Sequence, residues 1–243
     1  MSELNKAKLD QMLSNDQQGV ALFADETNFV ELAGAKFIPD ATKGYIRLTM
    51  SHAFPVVTAY GQALSASVVA ASYKSLLHQT INSEHQMVAF NPEKHRDDRI
   101  LGAVVAVDFP KPSYGGFKLT SREDSPGIQA VASFSKLARG MDRIVGRHLS
   151  GRQTYAVSME VQYPYKDCSF AVALESGKTP KHDTPDDFVK AGWEVIPWVN
   201  AEDELLKTFS IKQNRITSKW KGRTVVQLMG GLDKPVHYSG LAI

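Results

Sequence analysis

Apolar and polar residues alternate in short runs along most of this chain, and no regular repeat of strand, helix and strand organises them. The clearest run is QTYAVSMEVQY, residues 153–163: Tyr155, Val157, Met159 and Val161 fall on one face at period two, and Ala156, Ser158, Glu160 and Gln162 on the other. Such a run is a strand with one face buried and one open. Ser158 is therefore presented on a rigid element, opposite the apolar side chains. Residues 20–23, 29–32, 36–38, 44–50, 99–109 and 170–174 read as further strands, and 224–243 as two strands joined through Gly230, Gly231, Leu232 and Asp233. Many short strands with few helices between them predict an α+β fold, with a largely antiparallel β-barrel or sheet core and surrounding helices.

Helical spacing appears over residues 3–13, 64–77 and 201–209, and most strongly over 126–149. There Ile128, Val131, Ala132, Phe134, Leu137, Ala138, Met141, Ile144, Val145 and Leu149 recur at three- and four-residue steps, which predicts one long helix leading into the serine strand. Residues 178–187 form a polar, proline-containing loop, so 178–200 reads as a loop insertion within a single domain spanning 1–243.

A hydrophobic fraction of 43% is enough for a buried core, and a net charge of +2 carries no signature of a nucleic-acid binder. Lys207, Lys212, Arg215, Lys219, Lys221 and Arg223 follow one another without an acid between them. The ordinary reading of such a run is one solvated face, with nucleic acid or an acidic partner as the alternative. The single cysteine, Cys168, excludes an intramolecular disulfide and a multi-cysteine zinc site, and it has the wrong neighbours for a nucleophile. The histidines lack metal-ligand spacing, so no metal or cofactor is expected. No secretory pattern opens the chain and no apolar run approaches the roughly 18 residues of a membrane span, which predicts a soluble intracellular protein.

Ser158 and His85, the latter in TINSEHQM at residues 80–87, are the minimum parts of a nucleophile and its base. Read without their surroundings they are a strand serine and a loop histidine. The surrounding wording points further. INSEHQM followed by ILGAVVAVDF, YAVSMEV behind the predicted helix, and the closing GRTVVQLMGGLDKPVHYSGLAI resemble the capsid maturation proteases of tailed phages. These prohead proteases share a fold with the herpesvirus assemblin proteases. Their histidine lies in a phrase reading hydrophobic, Asn, any residue, Glu, His, and their serine in a strand worded VS(M/I)E. The resemblance spans roughly residues 75–243.

It implies a herpesvirus-protease-like fold and a serine endopeptidase with Ser158 as nucleophile and His85 as general base. The implied substrates are the scaffold protein and the N-terminal delta region of the major capsid protein. The implied setting is the host cytoplasm, inside the procapsid, with homodimers as in the assemblin relatives. One position departs from the pattern: the related proteases carry a second histidine or an acid in the strand after the serine, where this chain has Ala171 in AVAL. Asp167, Glu175 and Glu160 are the neighbours that could orient the base, with Glu160 and Asp167 favoured equally. The same arrangement implies an oxyanion hole at Gly177 and Lys178. A non-proteolytic head or scaffold-associated protein of the same fold is the alternative that Ala171 favours.

Overall fold

The computed structural model describes residues 19–23, 30–50, 53, 61–82, 100–109, 127–138, 141, 145, 156–174, 177, 185–208, 219–230 and 235–242. The helix expected at 3–13, together with His85, Glu175 and Lys178, lies outside them. Seven strands close a barrel in the order β1 (Gly19–Phe23), β4 (Lys43–Met50), β8 (Ile128–Ser135), β7 (Ile100–Asp108), β6 (Thr80–Asn82), β14 (His237–Ala242) and β9 (Ala156–Gln162). Every neighbouring pair is antiparallel except β14 and β6, and β1 closes the ring on β9 through Gly19 opposite Val157 and Val20 opposite Ala156. The α+β class and the largely antiparallel barrel core thus agree with the expectation from the sequence.

Alternation explains the barrel's interior. Ile46, Leu48 and Met50 of β4, Ile128, Ala130, Ala132 and Phe134 of β8, Val157 of β9 and Leu241 of β14 join one buried cluster. Helix α1 (Ala66–Ser72) packs Val68 and Val69 into the same cluster, and the 3-10 turn Tyr73–Leu76 adds Leu76. Ser65 caps α1, its Oγ accepting the Val68 N–H at 3.1 Å, and Ser75 Oγ accepts the Tyr238 N–H at 2.9 Å where β14 begins.

The long helix expected over 126–149 is not formed in its first half: Ile128–Ser135 is strand β8, paired along its length with β4. Met141 and Val145 are helical, and Met141 is buried in the barrel cluster. Val131 misled the periodicity, because it is apolar yet points out of the barrel. It is covered by a hairpin of β2 (Val30–Leu32) and β3 (Ala35–Phe37), which lays Leu32 on Val131 with Phe37, Tyr45 and Ala106 around them. The hairpin turns on Ala33 and Gly34 at φ 51° and 81°, a two-residue turn with both positions left-handed. Alanine bears a steric cost there of about 1 kcal/mol that asparagine largely avoids. Ala33→Asn should raise the melting temperature by about 2–4 °C; an unchanged or lower value in a thermal melt would contradict a strained turn.

Asp40 fixes the entry to β4. Its Oδ1 accepts the backbone N–H groups of Thr42 and Lys43 at 2.7 and 2.6 Å and the Thr42 hydroxyl at 2.9 Å. These bonds, the Thr42 N–H first, favour the ionised form and hold the carboxyl below its usual range. A depressed folded-state pKa gives stability that is present above the ordinary carboxylate range and lost as pH falls through the folded value. The melting-temperature gap between wild type and Asp40→Ala should therefore narrow on acidification; a gap independent of pH would show that the carboxylate is not what holds the turn.

A second sheet runs in the order β11 (Trp193–Pro197), β10 (Ser169–Ala173), β13 (Arg223–Met229), β12 (Lys219–Trp220), with β5 (Gln62–Leu64) parallel to β13. Helix α2 (Pro185–Lys190) places Phe188 on one face, against Ala171, Ala173, Trp193 and Val226. Helix α3 (Asp203–Thr208) places Leu205 on the other, against Phe170, Val172, Trp220 and Val225. Residues 193–197 of the expected insertion are thus a structural strand, paired with all of β10. The closing strands β13 and β14 are consecutive in sequence but belong to different sheets. Where the sheets meet, Gln62 Nε2 donates to Tyr163 Oη at 3.1 Å and to Gln227 Oε1 at 3.0 Å.

Candidate functional site

Because β9 turns Val157 into the barrel and packs Met159 and Val161 against the same cluster, Ser158 and Glu160 face outward, Ser158 exposed and Glu160 half-buried. The neighbouring strand β14 pairs Leu241 with Met159 and Ala242 with Ser158. On its other side β14 pairs Leu241 with Ile81 and Ala242 with Asn82. Leu241 and Ile81 are buried in the core, so Ser158, Ala242 and Asn82 form one outward row across three strands. Two inter-strand spacings separate the ends of that row, about 10 Å between the Cα atoms of Ser158 and Asn82.

One same-face step along β9, Glu160 is paired with Gly240. A side chain at 240 would start 3.4 Å from Glu160 Oε2 and 3.9 Å from the Thr80 carbonyl oxygen, so the carboxylate leans over the glycine toward β6. Asp167 lies elsewhere. Ser158 is near the start of β9, whereas Asp167 sits in a 3-10 turn (Tyr165–Asp167) past its far end, after about 14 Å of strand. Of the two acids favoured from the sequence, Glu160 shares a surface with Ser158 and Asp167 does not.

The strand after the serine, β10, belongs to the second sheet, and Ala171 is fully buried in it beneath Phe188 and Trp193. It presents nothing to the barrel's outer face. Gly177, half of the oxyanion pair expected from the sequence, follows the same strand; its N–H donates to the Leu174 carbonyl at 2.8 Å and closes a turn there. Cys168 is buried, and that burial, with the Asp167 charge beside it, pushes its thiol up to about 11. It is a protonated core residue at neutral pH. In the basic run, Lys221 pairs with Glu202 at 3.0 Å and lies 4.2 Å above the Trp220 ring.

Asn82 and Ala242 are the members of the row that sequence reasoning passed over. Asn82 carried a signal, as the asparagine of the INSEH phrase; Ala242 carried none, because only the long-range pairing of the last strand brings it beside Ser158. Among the described residues no cluster of three histidine, cysteine or acidic side chains could hold a metal ion, and no helix is long and apolar enough to cross a membrane. Comparison with protein families, curated proteins and solved structures finds no match to this chain.

Proposed function

We propose that this chain is a serine endopeptidase of the prohead-protease type, with a fold akin to the herpesvirus proteases and with Ser158 as nucleophile and His85 as general base. The observation that carries the reading is the outward row on the barrel: an exposed serine on a rigid strand, in register with Asn82, which stands three residues before His85 in the chain. A serine hydroxyl is un-ionised at neutral pH and attacks a peptide carbonyl only when an imidazole within about 3 Å takes its proton. Glu160 is the acid we assign to orienting that imidazole and stabilising its charged form, because it lies one step from Ser158 and leans toward the strand that leads to His85. Water then hydrolyses the acyl-enzyme. The substrates in this reading are the scaffold protein and the delta region of the major capsid protein, cut inside the procapsid, with a homodimer as the working form.

The rival reading is a head or scaffold-associated protein that keeps the fold without proteolysis. Ala171, which cannot orient an imidazole, and the turn-bound Gly177 N–H favour it. Co-expression of this chain with its capsid and scaffold proteins, read by fragment masses, separates the two. Defined fragments of either partner support the protease; intact partners support the structural protein.

A further inference from the structure

Resting on the serine-protease reading, we propose that Gly240 is a positioning residue for Glu160. A bulge in β14 sets Gly240 opposite Glu160, and the side chain that Gly240 lacks lets the carboxylate lie across β14 toward the strand that leads to His85. His237 and Tyr238 pair with Gln162 and Val161, but the next residue of β14 paired with β9 is Gly240, opposite Glu160, so Ser239 is an extra residue. Beyond it every side chain changes face. Without the bulge Ser239 would stand opposite Glu160 and Leu241 opposite Ser158, with a leucine on the outward face. With it Leu241 enters the core, and Gly240 and Ala242, the two smallest residues of β14, take the places beside Glu160 and Ser158.

Glycine inside a strand weakens it, and it is found where the backbone is left-handed, at a bulge, or where another group approaches closely. The described glycines with a left-handed φ are Gly34, Gly61, Gly192, Gly222 and Gly230, and Gly240 is not one of them. Its backbone accepts a side chain; the space above it is what a side chain would take. A Cβ at 240 would lie 3.4 Å from Glu160 Oε2 and 3.7 Å from its Cδ, which is ordinary contact for a methyl group. A branch beyond that methyl would occupy the place of the carboxylate. Glu160, half-buried, thus takes its direction from the bulge and from the bare backbone at Gly240.

An imidazole beside an ionised carboxylate keeps its proton to higher pH. Displacing the carboxylate lowers the pKa of the base, so the rate rises with pH from a more acidic midpoint. His237, opposite Gln162, is the titratable side chain that β14 places on this face among the described residues, and from β6 the face receives the uncharged Thr80 and Asn82.

The test is the pH profile of acylation of the full-length chain by 4-nitrophenyl acetate. Gly240→Val should acylate about 100-fold more slowly, the cost of misplacing a catalytic group by about 1 Å, with KM unchanged and the midpoint moved to lower pH. Gly240→Ala should lose less, and Gly240→Ser repeats the measurement should the valine chain not fold. Glu160→Gln should move the midpoint in the same sense, and adding Gly240→Val to it should cost nothing more, because both changes remove one interaction. His237→Gln should leave the midpoint in place. A merely structural role for Gly240 predicts instead a lowered melting temperature, an unmoved midpoint and losses that add to those of Glu160→Gln. An unmoved midpoint, additive losses, or a midpoint that moves with His237→Gln overturns the Gly240 assignment and, with Ser158→Ala inactive, leaves the protease standing. A wild-type chain that shows no Ser158-dependent acylation overturns both.

Discussion

Exchanging Ser158 for alanine should abolish cleavage of the capsid and scaffold proteins while leaving the fold intact. The loss follows from the chemistry: an alanine methyl has no oxygen with which to form the acyl intermediate, and deleting such a nucleophile lowers kcat on the order of a million-fold. The intact fold follows from the position. Ser158 is exposed on the outer face of β9, and substitutions at such sites shift stability by about 0.5 kcal/mol or less. Fragment masses from co-expressions of wild type and variant, together with melts of both purified chains, check the two halves separately. Fragments of undiminished amount from the variant would remove Ser158 from the chemistry.

Gly102→Ala is expected to have the largest effect on stability. Gly102 of β7 is paired with Phe134 on one side and with Ile81 on the other. A Cβ at this position would run into the backbone carbonyl oxygen of Ser133. A strand backbone inside a closed barrel cannot move aside as a side chain can, so the overpacking cost should reach about 3 kcal/mol. For a chain of 243 residues that is a fall of about 6–12 °C in melting temperature. Gly44→Ala serves as the comparison: a Cβ there meets the tip of the Phe134 ring, which can rotate or shift, and the cost should be smaller. A Gly102→Ala chain that melts with wild type would show that β7 and β8 are not packed as described.

Local patterning carried the barrel strands whose two sides differ. The serine strand was legible because Val157, Met159 and Val161 enter or line the core while Ser158 and Glu160 face out. β8 was not, although Ile128, Ala130, Ala132 and Phe134 keep period two. Val131 breaks the pattern because a distant hairpin covers it, and the resulting apolar steps of three and four imitate a helix. The site was legible to the same degree. Ser158 and Glu160 could be placed together because they share one strand. Ala242 reaches Ser158 through the antiparallel pairing of the last strand with β9, and Asn82 joins the row through that strand's parallel pairing with β6; register between segments some 160 residues apart is written in no local pattern. Asp167 looked equivalent to Glu160 on the line of the sequence, but the strand carries the chain about 14 Å past Ser158 before the turn that holds Asp167.

Whether Ser158 is an activated nucleophile is measured most directly by the mass of the native chain after treatment with a fluorophosphonate, which phosphonylates activated serines. A single adduct, mapped by peptide masses to Ser158 and lost when the chain is unfolded before treatment, is the predicted result. No adduct under native conditions, or an adduct on another residue, would contradict the assignment.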